Sequence, residues 1–425
     1  MKDQDRARGA GGKPSGSVRR EVWVRSGGRC ALCNAYLLEG SMSGRTLNLG
    51  ELAHIVGRGS GVRSPRGEQP LDHARREDAD NLMLLCADQH SEIDAAGGLD
   101  LFTVEKLRRV KQDHEDRIRH VTGLGPDRAT TVLRMVGPVH GNEVELSRQT
   151  AATAVVAGDR FPLFLESYTR HGLEIDLRGA PGESQAAPFT ASRAAAASRD
   201  YYRVATQVID SVIERQLRPG IMRDAVRHVS VFGFARLPLL VHLGSRLDDT
   251  VPTDIYQRHR EDESWVWRDG NGPVPGFTTQ IDHDVPAGSE AVVVINVSGA
   301  IGMQEVPAAL AGLRRWEIRP VGVPTGPDIM RGRRCLERFT AALRGFFAGL
   351  EAEAKTLERL HVLPALPMSA AIVLGRVHHP QVHPPLVVYE RLAGSYVPTL
   401  EVGGSSGAGV GMVARAAGGS SGWGG

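Results

Sequence analysis

The chain has 425 residues, of which 41% are hydrophobic and 24% charged, and its formal net charge is +2. That length predicts two or three domains of an ordinary globular protein. No run of about 18 apolar residues is present, and the polar N-terminus lacks the apolar segment of a secretion signal, so we expect no membrane contact. Four cysteines are too few for a disulfide framework, and three of them cluster, which predicts a reducing, cytoplasmic location.

The first part of the chain reads as a tail followed by one domain. Residues 1–17 are rich in glycine, lysine and arginine, which predicts a disordered tail. Residues 18–122 form the expected domain, and its last segment has the apolar spacing of an amphipathic helix. Residues 1–120 hold 20 lysines and arginines against 18 aspartates and glutamates, so this domain is nearly neutral.

Three cysteines of this domain have the spacing of a metal site. Cys30 and Cys33 form a C-x-x-C pair in a glycine-containing turn, and Cys86 ends the apolar run NLMLLC. In a reducing compartment such thiols favour Zn²⁺, which takes four ligands in a tetrahedron. We therefore expect a structural zinc on Cys30, Cys33 and Cys86.

A histidine, an asparagine and a second histidine accompany the cysteines along the chain. His54 follows the β-prone run LNLGELA, Asn81 opens NLMLLC, and His90 lies just beyond it. This set on a cysteine knuckle resembles the HNH endonucleases, the ββα-metal class. The resemblance implies DNA hydrolysis with His54 as general base and Asn81 holding its ring. It also implies His90 as a ligand of a divalent catalytic metal, Mg²⁺ or another.

Two positions depart from the HNH pattern. The residue before the first histidine is often an aspartate that binds the catalytic metal, but here it is Ala53. The position three residues after the third cysteine usually holds cysteine or histidine, but here it is Gln89. The second ligand of the catalytic metal and the fourth ligand of the zinc are therefore left open.

The remaining chain divides into a connector, an α/β domain and a tail. Short β-like runs in residues 123–185 predict a β-rich connector. Residues 186–402 alternate apolar strands with helices, which predicts an α/β sheet with ligand sites at the carboxyl ends of its strands. Residues 228–244 and 361–375 each read as strand, turn and helix ending in Leu-Gly, either as two Rossmann-like halves or by chance. The glycine- and serine-rich residues 403–425 predict a disordered tail.

Four segments of the α/β domain carry a second resemblance. They are VFGFARLPLLVHLG, DIYQRHREDESWVW, VVVINVSGAI and LPALPMSAAIVLGR…PPLVVYE. Together they resemble a SAVED domain, a fused pair of CARF-like Rossmann folds that binds cyclic oligonucleotides. A chain with both parts resembles the HNH–SAVED effectors of CBASS antiphage defence. The resemblance implies a homo-oligomer that assembles on a cyclic di- or trinucleotide and then degrades double-stranded DNA.

The chemistry of such a ligand selects candidate contacts. Two tryptophans in ESWVW can stack bases on one face if that segment is a strand. Arginines after strand-like runs can pair with phosphates, and backbone N–H groups at turns can meet an anion. The expected ligand-binding residues are Trp265, Trp267, Arg236, Arg258, Ser298, Gly299, Pro367 and Ser369.

The fold expected overall is multidomain: an α+β N-terminal HNH domain with a zinc knuckle and an α/β SAVED domain of two fused halves. Two other functions remain open. One is a modification-dependent HNH restriction endonuclease whose C-terminal region reads altered DNA. The other is a nonenzymatic nucleotide-binding protein with a zinc-knuckle HNH remnant, which Gln89 and Ala53 favour.

Overall fold

The structure is a computed structural model of the chain. It describes residues 14–40, 43–95, 97–139, 144, 146–163, 173–180, 191–247, 249–270, 274–286, 288–354, 356–392 and 394–404. The chain divides into two compact units, the N-terminal unit of residues 1–125 and the C-terminal unit of residues 126–425. The tails expected at 1–17 and 403–425 lie outside the described residues, except for 14–17 and 403–404. None of the described helices has the length and apolar character needed to cross a bilayer.

Among its described residues, the N-terminal unit has two antiparallel strands and three α-helices. They are α1 (Gly16–Arg25), β1 (Gly50–His54), β2 (Leu82–Cys86), α2 (Ala87–Asp94) and α3 (Val104–Gly123). Ser15 and Thr103 begin α1 and α3 by accepting hydrogen bonds from backbone N–H groups of the first turn. The strands pair with His54 opposite Leu82, and α2 follows β2 directly. Helix α1 begins at Gly16, so the last two residues of the expected tail belong to it.

A long polar loop joins β1 to β2, with only 3₁₀ turns at His73–Arg75 and Ala79–Asn81. The side chain of Arg76 is buried in this loop, where it donates to the backbone carbonyls of Gly57, Gly59 and Gly67. Buried carbonyls need hydrogen-bond donors, and one guanidinium supplies five N–H groups. The loop is therefore packed around a charged side chain rather than around apolar ones.

The C-terminal unit contains two sheets. The first is entirely parallel, with β3 paired to β4, β5 and β6, and β6 paired to β7. Its strands are β3 (Ala129–Val136), β4 (Phe161–Leu163), β5 (Leu173–Asp176), β6 (Val229–Phe234) and β7 (Thr253–Tyr256). Its helices are α4 (Arg148–Ala157), α5 (Ala191–Val212), α6 (Arg218–Met222) and α7 (Leu237–Arg246), with a π-helical turn at Ile213–Leu217.

The second sheet has six strands in the order β13-β12-β11-β9-β10-β8. Its four inner strands are parallel, and the edge strands β8 and β13 are antiparallel to their neighbours. The strands are β8 (Gly276–His283), β9 (Glu290–Asn296), β10 (Arg315–Val321), β11 (Arg359–Ala365), β12 (Leu386–Leu392) and β13 (Ser395–Val402). The helices are α8 (Arg333–Glu353) and α9 (Met368–Val377).

The expected separate connector over residues 123–185 needs correction. Strand β3 of this segment pairs with β6 over six residues, from Thr131 opposite Val229 to Val136 opposite Phe234. Strands β4 and β5 pair with the other edge of β3, one after the other along its length. The segment therefore builds the first sheet of the C-terminal unit together with β6, which lies almost one hundred positions after β3.

Helices α7 and α9 pack against each other through two glycines. A Cβ atom on Gly375 would lie 1.8 Å from the carbonyl oxygen of Val241, and one on Gly244 would lie 2.0 Å from that of Ile372. Only glycine allows so close a backbone approach. The Leu-Gly endings of residues 228–244 and 361–375 therefore mark this contact, and each segment forms a buried strand, a turn and a helix.

The N-terminus of α7 contacts the second sheet, and the N-terminus of α9 contacts the first. Arg236, which precedes α7, pairs with Glu390 near the carboxyl end of β12. Ser369, in the first turn of α9, bonds with Gln257, which follows β7. The two halves thus exchange contacts at the carboxyl ends of their parallel strands, where ligands of α/β folds bind.

Candidate functional sites

The three cysteines of the N-terminal unit meet. The Sγ atoms of Cys30, Cys33 and Cys86 all lie within 4.8 Å of one another, and those of Cys33 and Cys86 are 3.8 Å apart. Two sulfurs bound to one tetrahedral zinc at about 2.3 Å lie about 3.8 Å apart. The thiols therefore fit a zinc ion, and the backbone N–H of Ala31 ties their turn to Leu84 of β2.

The electrostatics differ between the thiols of the cluster. Burial raises the pKa of the Cys30 thiol, but backbone N–H groups of Cys33, Cys86 and Leu32 outweigh it and lower that pKa. Burial raises the pKa of Cys33 to about 11. Gln89 donates to Glu92 at 3.0 Å. No fourth cysteine, histidine or carboxylate joins the cluster among the residues that the structure describes.

His54 ends β1, and its ring is held by a residue that the sequence did not single out. Its Nε2 lies 3.3 Å from Oε1 of Glu77, a carboxylate that also pairs with Arg58. Oε2 of Glu77 is buried and has no hydrogen-bond partner among the described residues. With Nε2 facing a carboxylate, Nδ1 is the nitrogen left for other chemistry.

Asn81 does not hold the ring of His54, which corrects the role expected for it. Its Oδ1 accepts from the backbone N–H of Val56, and its Nδ2 donates to the carbonyls of Val56 and Arg76. The side chain is buried, so these three hydrogen bonds fix the chain just after β1. Asn81 thus positions His54 through the backbone.

His90 lies on α2 between two carboxylates. Its Nδ1 is 2.7 Å from Oε2 of Glu51, and its Nε2 is 3.5 Å from Oδ2 of Asp94. The hydrogen bond that the ring donates to Asp94, followed by the one that it donates to Glu51, raises the pKa of His90. Ala53 is fully buried in the core. Asp94 stands one helical turn after His90, a spacing that sequence analysis could have used.

Arg66 connects the two histidines. Its guanidinium donates to the carbonyl of Ile55 at 2.8 Å and that of Ile93 at 2.7 Å, and it pairs with Asp94 at 2.5 Å. It also reaches the carbonyl of His54 at 3.3 Å. Its φ is +55°, which is uncommon for a residue other than glycine. The end of β1 and the end of α2 are therefore fixed to the same side chain.

The two tryptophans expected to stack bases are placed differently. The ESWVW segment is not a strand, so the alternation expected for it is wrong. Trp265 is buried, with its edge toward the ring of Phe232, and offers no face to a base. Trp267 is half-buried and packs edge-on against His259. Both rings belong to the packing of the C-terminal unit, because the segment folds back over the first sheet.

The turn after β9 is already engaged with β11. The backbone N–H of Ser298 donates to the carbonyl of Ala365 at 2.8 Å, so it is not aimed at an anion. Gly299 is half-buried, and no atom lies within 4 Å of where its Cβ would be. Of this pair, Gly299 is the one with open space.

The turn before α9 is engaged as well. Pro367 precedes the helix and is buried. The backbone N–H and the hydroxyl of Ser369 both donate to Oε1 of Gln257, at 3.1 and 2.8 Å. Since Ser369 is fully buried, its expected contact with an anion is corrected to a contact between the two halves.

The two expected arginines have carboxylate partners. Arg236 lies 3.2 Å from Oε2 of Glu390, which also accepts from the hydroxyl of Tyr202 at 2.5 Å. Arg258 lies 2.7 Å from Oε1 of Glu263. Both arginines stand at the carboxyl edge of the strands, so a phosphate would have to compete with these carboxylates.

A cavity of about 470 Å³ opens beside the N-terminus of α8. Its wall over residues 323–329 follows β10, and the N–H of Gly326 donates to the carbonyl of Val297 just after β9. Its charged lining residues are Arg268, Asp269, Asp328, Arg331 and Arg334. No sequence-based prediction covered this site, although the run MRGRRC at the start of α8 carries three arginines.

Comparisons with known proteins bear on the C-terminal unit. Residues 209–402 match the SAVED family, the SMODS-associated and fused to various effectors sensor domain. This match starts within α5, so the first sheet begins before it. No curated protein matches the chain.

Solved structures give likenesses of fold alone. The chain is similar to the Acinetobacter baumannii Cap4 SAVED/CARF-domain containing receptor with the cyclic trinucleotide 3′3′3′-cAAA at 16% identity and a TM-score of 0.37, covering 74% of this chain and 61% of that chain. For the Moraxella osloensis Cap4 receptor the values are 15%, 0.34, 72% and 63%. The chain therefore spans about three fifths of the length of these receptors. On the family match, residues 209–402 are a SAVED domain.

Proposed function

We propose that the chain is a DNA endonuclease that a cyclic oligonucleotide activates. One observation carries this proposal: a SAVED domain stands in the same chain as a three-cysteine cluster. His54 lies on the strand paired with β2, which ends at Cys86, and His90 lies on the helix that follows β2. SAVED domains are by description fused to effectors, and an effector domain needs its own activity. The N-terminal unit would be the nuclease, and the C-terminal unit the sensor.

His54 would act as the general base. Because Glu77 faces Nε2, the ring proton is favoured on that nitrogen, and Nδ1 keeps the lone pair that takes a proton from the attacking water. Asn81 fixes the chain after β1, so the ring keeps its position. The three cysteines would hold a structural Zn²⁺ that joins the turn after α1 to the end of β2.

His90 and Asp94 would hold the catalytic divalent metal. Their Nε2 and Oδ2 atoms lie 3.5 Å apart on one face of α2, close enough to share a cation. Glu51 fixes the other nitrogen of His90, and Arg66 holds the second oxygen of Asp94. A bound Mg²⁺ would stabilise the charge of the phosphate and of the leaving oxygen.

Activation would follow from assembly. The nearly neutral N-terminal unit should hold DNA weakly by itself, because DNA affinity comes largely from neutralised phosphates. Several units on one homo-oligomer would raise avidity by roughly 10²–10⁴. The cyclic di- or trinucleotide must then bind the assembled form more tightly than the free chain.

Plasmid degradation with Mg²⁺, with and without a panel of cyclic di- and trinucleotides, tests the proposal. We expect cleavage only with the cognate ligand, together with an increase of particle mass in light scattering. Cleavage at unchanged mass would rule out assembly as the switch. Ligand-independent cleavage of modified DNA alone would favour the modification-dependent restriction endonuclease.

A nonenzymatic function is the second candidate. Ala53 is buried, and Asp94 already pairs with Arg66, so only His90 and one carboxylate oxygen are offered to a catalytic metal. In that case the zinc-bound unit would bind DNA without cutting it. A chain that binds ligand and DNA but leaves plasmid intact with Mg²⁺, Mn²⁺ and Zn²⁺ would establish it.

A further inference from the structure

Two arginines of the cavity beside α8 share one glutamate. Arg268 donates from Nη1 to Oε2 of Glu261 at 2.6 Å, and Arg331 contacts Oε1 of the same carboxylate. Nη2 of Arg268 also lies 2.7 Å from Oδ1 of Asp262. A carboxylate that bridges two guanidinium groups occupies the donors with which they would bind a phosphate.

Arg268 is less exposed than its partner Glu261. The backbone N–H of Arg268 donates to the carbonyl of Arg331 at 3.0 Å, which ties the two together. The side chain of Arg268 is 28% exposed, whereas that of Glu261 is 51% exposed. Glu263, in the same turn, has a φ of +60°, a strained value for glutamate. The acidic turn, residues 261–263, can therefore leave while Arg268 keeps its place, and Arg331, which is 54% exposed, stays tied to Arg268 through its backbone carbonyl.

The rest of the cavity suits an anion larger than a single phosphate. Its volume of about 470 Å³ lies in the range of small-molecule sites. The N-terminus of α8, a helix of 21 residues, lines the cavity at Gly332 and Arg334. A helix N-terminus favours negative charge. One carboxylate of the wall, Asp269, is already used, because its Oδ1 accepts the N–H of Arg333.

We propose that this cavity binds a phosphate group of a nucleotide through Arg268 and Arg331, and that Glu261 occupies these arginines until the ligand displaces it. The acidic turn would then set the ligand concentration at which the sensor responds. Only the source of the phosphate, a cyclic oligonucleotide, rests on the function proposed above.

Calorimetric titration of the full chain with inorganic pyrophosphate at low salt tests the site. Glu261→Gln should bind pyrophosphate up to about fivefold more tightly than the unaltered chain, which is the strength of an exposed ion pair. Arg331→Gln should bind it at least about tenfold more weakly, because a charge-assisted hydrogen bond is lost.

Matched controls exist for both changes. Glu214 bridges Arg218 and Arg246 on another surface, so Glu214→Gln should leave pyrophosphate affinity unchanged. Arg344→Gln removes an exposed charge farther along α8 and should also have no effect. Equal affinities for Glu261→Gln and Glu214→Gln, or for Arg331→Gln and Arg344→Gln, would overturn the proposal.

Competition by the panel of cyclic oligonucleotides separates this site from the proposed function. Displacement of pyrophosphate supports both. If the variants behave as expected and no cyclic oligonucleotide competes, the phosphate site stands and the proposed sensing fails. If a cyclic oligonucleotide binds Arg331→Gln as tightly as the unaltered chain, sensing stands and this site is wrong.

Discussion

The two units of this chain are stabilised by different means. The N-terminal unit combines a small apolar core with a few polar centres: the cysteine cluster, Asn81, and the buried guanidinium groups of Arg66 and Arg76. The C-terminal unit buries apolar side chains along two sheets of mostly parallel strands. Loss of one group should therefore damage the first unit broadly, whereas the second should tolerate most single changes outside its closest contacts.

Removal of a zinc ligand is the largest expected effect. A structural zinc contributes about 10–16 kcal/mol in small domains, so Cys30→Ser should make residues 14–125 sensitive to protease and leave the C-terminal unit resistant. Limited proteolysis with mass spectrometry and zinc analysis measures this. Cys335→Ser, at a buried thiol of α8, is the control and should retain the zinc. A resistant Cys30→Ser chain would show that the cluster is dispensable.

Loss of the general base comes next. His54→Ala should reduce the rate of DNA cleavage by roughly 10²–10⁴-fold, while zinc content, ligand affinity and assembly stay unchanged. Single-turnover cleavage of a labelled duplex measures the rate. His73→Ala, at an exposed histidine of the same unit, should cut normally. A loss smaller than about tenfold for His54→Ala would exclude this role.

Acid should weaken the C-terminal unit. Burial lowers the pKa of His378 to about 4, so the unfolded chain takes up a proton below about pH 6.5 and the folded chain does not. The free energy of unfolding should therefore fall between about pH 6.5 and 4, by about 3 kcal/mol for this residue. Burial lowers the pKa of other histidines of this unit too: His228, His259, His361 and His383.

Urea unfolding across this pH range measures the effect. His378→Gln should flatten the dependence, whereas His379→Gln, at an exposed neighbour, should not. If both variants lose stability toward low pH as steeply as the unaltered chain, His378 is not responsible.

The smallest expected effect concerns the contact of α7 with α9. Gly375→Ala would place a Cβ 1.8 Å from a carbonyl oxygen and should lower the free energy of unfolding by about 1–3 kcal/mol. Gly345→Ala, on α8 with open space around it, should instead stabilise the unit by about 0.5–1 kcal/mol. Thermal unfolding distinguishes the two, and equal midpoints would mean that the helices can separate freely.

Sequence motifs located the three cysteines, although Cys86 lies 53 positions after Cys33. The cysteines meet, and His54 and His90 lie at the end of a strand and in the helix after the hairpin. Glu77 and Arg66 could not be assigned, because they come from a long loop whose path depends on buried polar contacts. Periodicity contains no information on such contacts.

The C-terminal unit shows a different limit. Apolar runs predicted an α/β sheet, but not that β3 would pair with β6, since pairing depends on contacts far apart in sequence. Trp265 was expected at the surface because aromatic rings suit bases, yet it is equally suited to fill the space beside Phe232. Composition alone does not separate these two uses of an aromatic ring.

The two halves joined through Gly244 and Gly375 belong to one chain and present different residues at their junction. In a homodimer the corresponding contacts on both sides of the axis would be identical. Here one contact is an ion pair of Arg236 with Glu390, and the other is an uncharged contact of Ser369 with Gln257. A ring-shaped molecule lying across this junction would meet unlike ends. It would therefore have one preferred orientation, so the protein could distinguish rings that differ only in the order of their parts.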